Sequence, residues 1–169
     1  MLIRDLSTAD AVEIRRHAIG LGSDAEPYLR DDAKGGMVVS ESAKPAGASA
    51  EFDASILFTG GDFGASGGDW LFYVGLWTPQ DFREEFLAWY KIEHMPILLE
   101  CPIWSGCRFV ERKVANGCQF YAMHQMSDKS ALDSAERKFS RSTAWFARLA
   151  KNAWFDGAFT RALLRRVST

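Results

Sequence analysis

The stretch TPQDFREEFLAWYKIEHMPILLECPIWSGCRFVER, residues 78–112, decides how this 169-residue chain is read. Its first part has helical spacing, with Phe82, Phe86, Trp89 and Ile92 recurring every three or four residues. Thr78 is a candidate cap for the first turn. Pro79 stands where a missing N–H costs nothing, and Asp81 suits the positive end of a helix. A neighbouring stripe of Phe86, Tyr90, His94 and Ile97 or Leu98 puts a phenol and an imidazole on one apolar flank. Pro96 removes the helical bond to Ile92 and is expected to kink or end the helix nearby. A kinked last turn tips its side chains toward whatever covers it, so Glu93 and His94 are expected at an edge or a cavity mouth.

Working outward, WLFYVGLW (residues 70–77) is an apolar run of strand length, covered on both faces. Residues 103–113 alternate, with Trp104, Gly106, Arg108, Val110 and Arg112 on one face and Ser105, Cys107, Phe109 and Glu111 on the other. Ala115-Asn116-Gly117 is a tight-turn signal, and residues 118–126 return as a second strand. There Ala122, His124 and Met126 share one face, and Tyr121, Met123 and Gln125 the other. Helical patterns follow, over residues 127–139 with Leu132, Ala135 and Phe139 inward and then from a Ser142 cap with Trp145, Phe146 and Leu149 inward. Residues 155–167 close the order as a last strand.

The W-Y-x-x-E-H-x-P run at residues 89–96, between an apolar strand and a strand with alternating arginines, resembles the EthD-like dimeric α/β-barrel proteins. The resemblance covers roughly residues 70–167. Pro102-Ile103-Trp104-Ser105-Gly106 stands where such families carry Pro-Gly before the second strand. It implies an α+β fold: a ferredoxin-like βαββαβ unit with an antiparallel sheet, forming a homodimer sheet to sheet as an α/β barrel. It does not select a reaction, because that superfamily holds isomerases, cyclases, oxygenases and haem enzymes.

Residues 70–169 are therefore read as the domain and residues 1–69 as an N-terminal extension. A short helix there is capped by Ser7 or Thr8, carries Ala11, Val12, Ile14, Ala18 and Ile19, and stops at Gly20 and Gly22. Residues 31–69 form a Gly/Ala/Ser-rich arm, held down by its own domain or by a partner subunit through short added strands, or serving as a lid. GGDFGASGG (60–68) lacks the Lys-Ser/Thr ending of a phosphate loop. No internal repeat is visible.

Hydrophobic residues at 47% and aromatics at 13% supply a core with rings to spare for a pocket. A net charge of −2 and the lack of a basic stripe argue against a nucleic-acid partner. No apolar run reaches membrane-spanning length and the N-terminus has no signal-peptide core, so no membrane partner and a cytoplasmic location are expected. The odd cysteine count, Cys101, Cys107 and Cys118, with no C-x-x-C spacing, reads as small buried groups.

His94 and Tyr90 are the candidate catalytic pair: an imidazole titrating near neutrality, and a phenol one turn earlier that holds the ring or polarises a substrate carbonyl. The alternative for His94 is a cap on the helix end, donating to a free carbonyl. Trp89, Glu93, Tyr73, Tyr121, Arg108 and His124 are the candidate substrate-binding residues. His124 reads equally as a satisfied core histidine, and Arg108 as an edge arginine at the surface. Two histidines without matching carboxylates do not make a metal site. The sequence thus points to acid–base chemistry, without a bound cofactor, on a small hydrophobic or aromatic substrate. A lyase, isomerase or cyclase of aromatic-compound catabolism is the leading expectation. The alternatives are a carrier of a hydrophobic ligand and an oxygenase, either cofactor-free or haem-dependent.

Overall fold

The computed structural model describes residues 1–41, 51–64, 67–155 and 158–167. The chain runs β1 (Leu2–Leu6), α1 (Ala11–Leu21), β2 (Glu26–Arg30), β3 (Gly36–Ser40), β4 (Glu51–Asp53), β5 (Ser55–Gly61) and β6 (Trp70–Thr78). It continues through α2 (Arg83–Trp89), a π-turn (Tyr90–His94), α3 (Met95–Leu99), β7 (Trp104–Arg112) and β8 (Cys118–Met126). α4 (Ala135–Ser140), α5 (Ala144–Leu149) and β9 (Ala158–Arg166) follow. The fold is α+β, and every strand pair is antiparallel. No helix among the described residues is long and apolar enough to cross a membrane.

The expected βαββαβ unit is present. β9, β6, β8 and β7 lie side by side in that order, the ferredoxin-like arrangement. The apolar β6 is its central strand, paired with β8 on one edge and β9 on the other, which is why both its faces are covered.

The N-terminal residues are not appended to this unit but repeat its strand order. β4, β1, β3 and β2 lie in sequence across the sheet, with α1 crossing between β1 and β2. β2 pairs with β9, with Tyr28 opposite Arg166, and so joins the two halves. At the far side, residues 51–61 run as one strand interrupted at Ala54. Its first part pairs with β1 and its second with β7. The two ends of the nine-stranded sheet are thereby joined, and the sheet comes round as a barrel.

The barrel interior is filled from both halves. Ile3, Tyr28, Met37, Val39 and Phe52 pack with Leu71, Tyr73, Val110, Tyr121, Met123 and Leu164. Full burial of such side chains stabilises by roughly 1.5–3 kcal/mol each. The sheet face that a second subunit was expected to cover is therefore covered by the chain's own first half. This revises the sheet-to-sheet route to a homodimer: one chain supplies both sheets. Of the arm, residues 42–50 and 65–66 lie outside the described residues.

Two local expectations also change. Thr78 ends β6 with its hydroxyl buried and makes no cap bond; a 3₁₀ turn (Gln80–Phe82) opens the helix instead. Pro96 does not end it either. The Met95 N–H reaches back five residues to the Tyr90 carbonyl, a widened turn forms ahead of the proline, and α3 continues to Leu99. Proline near the start of a helical segment costs nothing, because its N–H would be without a partner there.

Candidate functional site

The helical segment from α2 to α3 packs across the outer face of β6 to β8, and α4 and α5 close the other side. Between them lies a cavity of about 310 Å³. Strand alternation supplies its floor: Phe72, Val74 and Leu76 of β6, and His124 of β8. The helical wall supplies Phe86, Trp89, Tyr90 and His94. Tyr90 and His94, four apart at the two ends of the π-turn, lie on one flank of that wall.

At the floor, three side chains form a chain. The Tyr90 hydroxyl lies 2.6 Å from His124 Nε2, and the Trp104 indole N–H donates to His124 Nδ1 at 3.2 Å. An indole can only donate, so Nδ1 accepts, and the neutral ring carries its proton on Nε2. Nε2 then donates to the Tyr90 oxygen. The hydroxyl proton of Tyr90 is left uncommitted among the described residues, in a side chain that lines the cavity.

Electrostatics fix the protonation states. Burial, followed by the neighbouring His94 and Arg137, pulls His124 down to about 3. Burial pulls His94 down to about 4; a hydrogen bond with the Ser140 main chain acts upward, and Arg141 and Arg137 act downward. Burial, then Cys107, holds Tyr90 well above its ordinary value. At neutral pH the site thus offers an intact phenol as donor and two uncharged imidazoles.

His94 does not cap its own helix. Its ring hydrogen-bonds with the Ser140 main chain at the end of α4, and it lines the cavity, 4.6 Å from the Trp89 ring and 4.9 Å from that of Tyr90. Its Nδ1 is buried without a partner. Glu93 is not in the cavity. Its Oε1 accepts from Trp89 Nε1 at 3.1 Å and from the Thr143 hydroxyl at 2.6 Å, so it ties the π-turn to the start of α5.

Three expected substrate-binding residues lie elsewhere. Tyr73 and Tyr121 point into the barrel interior, stacked at 5.4 Å, because they alternate with Phe72, Val74 and Ala122, which pack on the helix side of the sheet. Arg108 pairs with Glu41 and lies over the Phe63 ring, beside a separate cleft near Arg166. Conversely, strict alternation puts Trp104 on the face of Arg108, whereas it meets His124. The cause is a register shift in β7 between Trp104 and Gly106. Gly106 allows it: a Cβ there would meet the Asp62 main chain at 2.8 Å.

Sequence reading missed Arg137, Arg141 and Arg161, which line the cavity with no Asp or Glu among the lining residues. The available signal was the i, i+4 spacing of Arg137 and Arg141, on a segment read only for its apolar positions.

No protein-family model and no curated protein matches the chain. Solved structures do. A ferredoxin-fold protein of Listeria monocytogenes related to antibiotic biosynthesis monooxygenases aligns with a TM-score of 0.68 at 12% identity, over 100% of this chain and 96% of that one. A heme-degrading enzyme of the same organism aligns at 0.64 and 11% identity, over 98% and 99%. An anthrone oxidase-like protein aligns at 0.67 and 10% identity, over 99% and 90%. The alignments take in both halves of the chain, not the C-terminal unit alone. Likeness at such identity concerns architecture alone and does not single out the EthD-like proteins. The chain has the ferredoxin-like α+β barrel fold of these proteins.

Proposed function

We propose that the chain is a small-molecule enzyme that enolises a flat aromatic carbonyl compound in the Tyr90–His94–His124 cavity and passes it to dioxygen without a bound cofactor. The observation that carries this reading is the uncommitted Tyr90 proton, held by a histidine whose tautomer Trp104 fixes. A phenol in that state donates to a substrate carbonyl oxygen and stabilises the enolate that forms there. His94, neutral and in the same wall, is the candidate acceptor for the carbon-bound proton. Apolar rings on three sides suit a planar substrate and exclude water from the enolate.

Enolisation is also the first step of isomerase and lyase reactions. Dioxygen is placed next because the structural neighbours include monooxygenase-related and anthrone oxidase-like proteins. For anthrone the balance closes: the enolate is oxidised at its CH₂ carbon, one oxygen atom becomes the new carbonyl, and the other leaves as water. Haem ligation fits His124 poorly, because both of its nitrogens are engaged.

The test uses anthrone as probe. In D₂O without oxygen, the protein should accelerate exchange of the CH₂ protons seen by NMR. In air it should accelerate anthraquinone formation. Tyr90→Phe should lower both by about 10²-fold, the usual scale for one lost donor, while shifting the melting temperature by only a few degrees. Wild-type protein that leaves exchange at the buffer rate defeats the reading.

A further inference from the structure

We infer that the substrate carries a carboxylate, seated against Arg137, Arg141 and Arg161 at the cavity's polar end. This deepens the proposed function and rests on the same cavity being the reaction site.

The three arginines come from separate places in the chain, Arg137 within α4, Arg141 just after it, and Arg161 on β9, yet they line one cavity. Among the described residues none of them forms an ion pair. Other arginines of this chain do: Arg83 with Glu111 at 2.7 Å, Arg148 with Glu85 at 2.7 Å, and Arg166 with Glu26 at 3.4 Å. Arg137 is fixed by one corner, its Nη1 donating to the Leu132 carbonyl at 2.6 Å, with its guanidinium 5.8 Å over the Phe72 ring. The remaining N–H groups form a planar fork of the kind that grips a carboxylate with two bonds.

Such a cluster opposes itself. Burial, Arg141 and Arg161 all weaken the protonated form of Arg137, and Asp133 offsets them only in part. Arg137 is half-buried while Arg141 and Arg161 are exposed, so solvent screens part of their repulsion and an anion seated among them relieves the rest. The aromatic rings of Phe72 and Phe146 border the same space, so the ligand that satisfies both ends is an aromatic acid rather than a bare oxyanion.

A carboxylate there has a second consequence. Arg137 and Arg141 depress His94, and Arg137 depresses His124. An arriving anion offsets those two cations and raises His94 in part, while burial, the largest cause of its depression, remains.

The test compares 2-naphthoate with 2-naphthamide, a neutral probe of nearly the same shape, by quenching of tryptophan fluorescence. Naphthoate should bind at least tenfold tighter, with an advantage that shrinks as salt rises. Arg137→Gln should abolish the preference and leave naphthamide affinity within twofold. Arg141→Gln and Arg161→Gln should each reduce it. Equal binding of both probes to the wild type overturns the inference, as does displacement of naphthoate by inorganic phosphate at constant ionic strength as readily as by benzoate. The outcome is separable from enolisation: Tyr90→Phe should keep the naphthoate preference. A preference that persists in a protein inactive on anthrone removes the proposed chemistry and leaves the acid-binding site standing.

Discussion

At the scale of single residues, His124 decides what the site can do. Protonating it would set a second N–H against the Trp104 indole, so the fold holds the ring neutral. Its pKa is depressed from 6.5 to about 3 in the folded chain. The unfolded chain binds the proton first as pH drops. The stability His124 contributes is therefore full above 6.5 and is lost as pH falls from there toward 3, with a slope approaching about 1.4 kcal/mol per pH unit. His94 acts in the same direction, down to about 4. Urea unfolding of the wild type between pH 7 and 5 should show this loss. His124→Gln should be less stable at pH 7 but lose about one proton's worth less slope across that window. Parallel slopes would mean that the indole does not lock the ring. The sequence showed the Tyr90–His94 flank, because two residues four apart on a helix share a side whatever surrounds them. It did not show Trp104 beside His124, since a register shift in a strand leaves no mark on alternation until its partner is known.

At the scale of elements, the cavity depends on how the π-turn is tied to α5. Glu93 Oε1 accepts both the Trp89 indole N–H and the Thr143 hydroxyl, and the Thr143 oxygen in turn accepts the Phe146 N–H that opens α5. One hydroxyl thus caps a helix and fixes the wall bearing Phe146 against the wall bearing His94. Thr143→Ala should cost about 1 kcal/mol of stability as a lost cap. It should also weaken 2-naphthamide binding several-fold, because the walls lose their link, and Thr143→Ser should restore both. A variant that loses stability but binds as before would reduce Thr143 to a cap alone. The sequence placed a capping residue near here, at Ser142, one position early. It also read Pro96 as kinking or ending the helix; the helix continues through it, and the departure from regular α-geometry is the π-turn just ahead of it.

At the scale of the whole molecule, strands β1 to β5 complete the barrel, although the composition of residues 31–69 reads as a loose arm. β3 explains the difference. All five of its residues are buried, with Met37 and Val39 in the barrel and Val38 against Ile14 and Ala18 of α1. A short strand covered on both faces shows no alternation, and the Gly/Ala/Ser content around it hides the rest. The repeat of strand order was equally hidden, because the halves share topology without a shared sequence pattern. Closure within one chain makes the halves thermodynamically inseparable: β2 pairs with β9, residues 51–61 join β1 to β7, and one interior is shared. The unfolding midpoint of the single closed chain should therefore be independent of protein concentration over a hundredfold range, and a midpoint that rises with concentration would show that folded copies associate. A sharper test uses an accident of composition, since all six tryptophans lie at or beyond Trp70 and their fluorescence reports the second half alone. Ile3 is fully buried in the first half. Ile3→Ala should cost about 2–5 kcal/mol and should lower the tryptophan midpoint by the same amount as the far-UV circular dichroism midpoint, in one transition. A tryptophan signal that keeps its wild-type midpoint while the dichroism unfolds in two steps would show that the second half stands alone, and with it that the barrel is two domains rather than one.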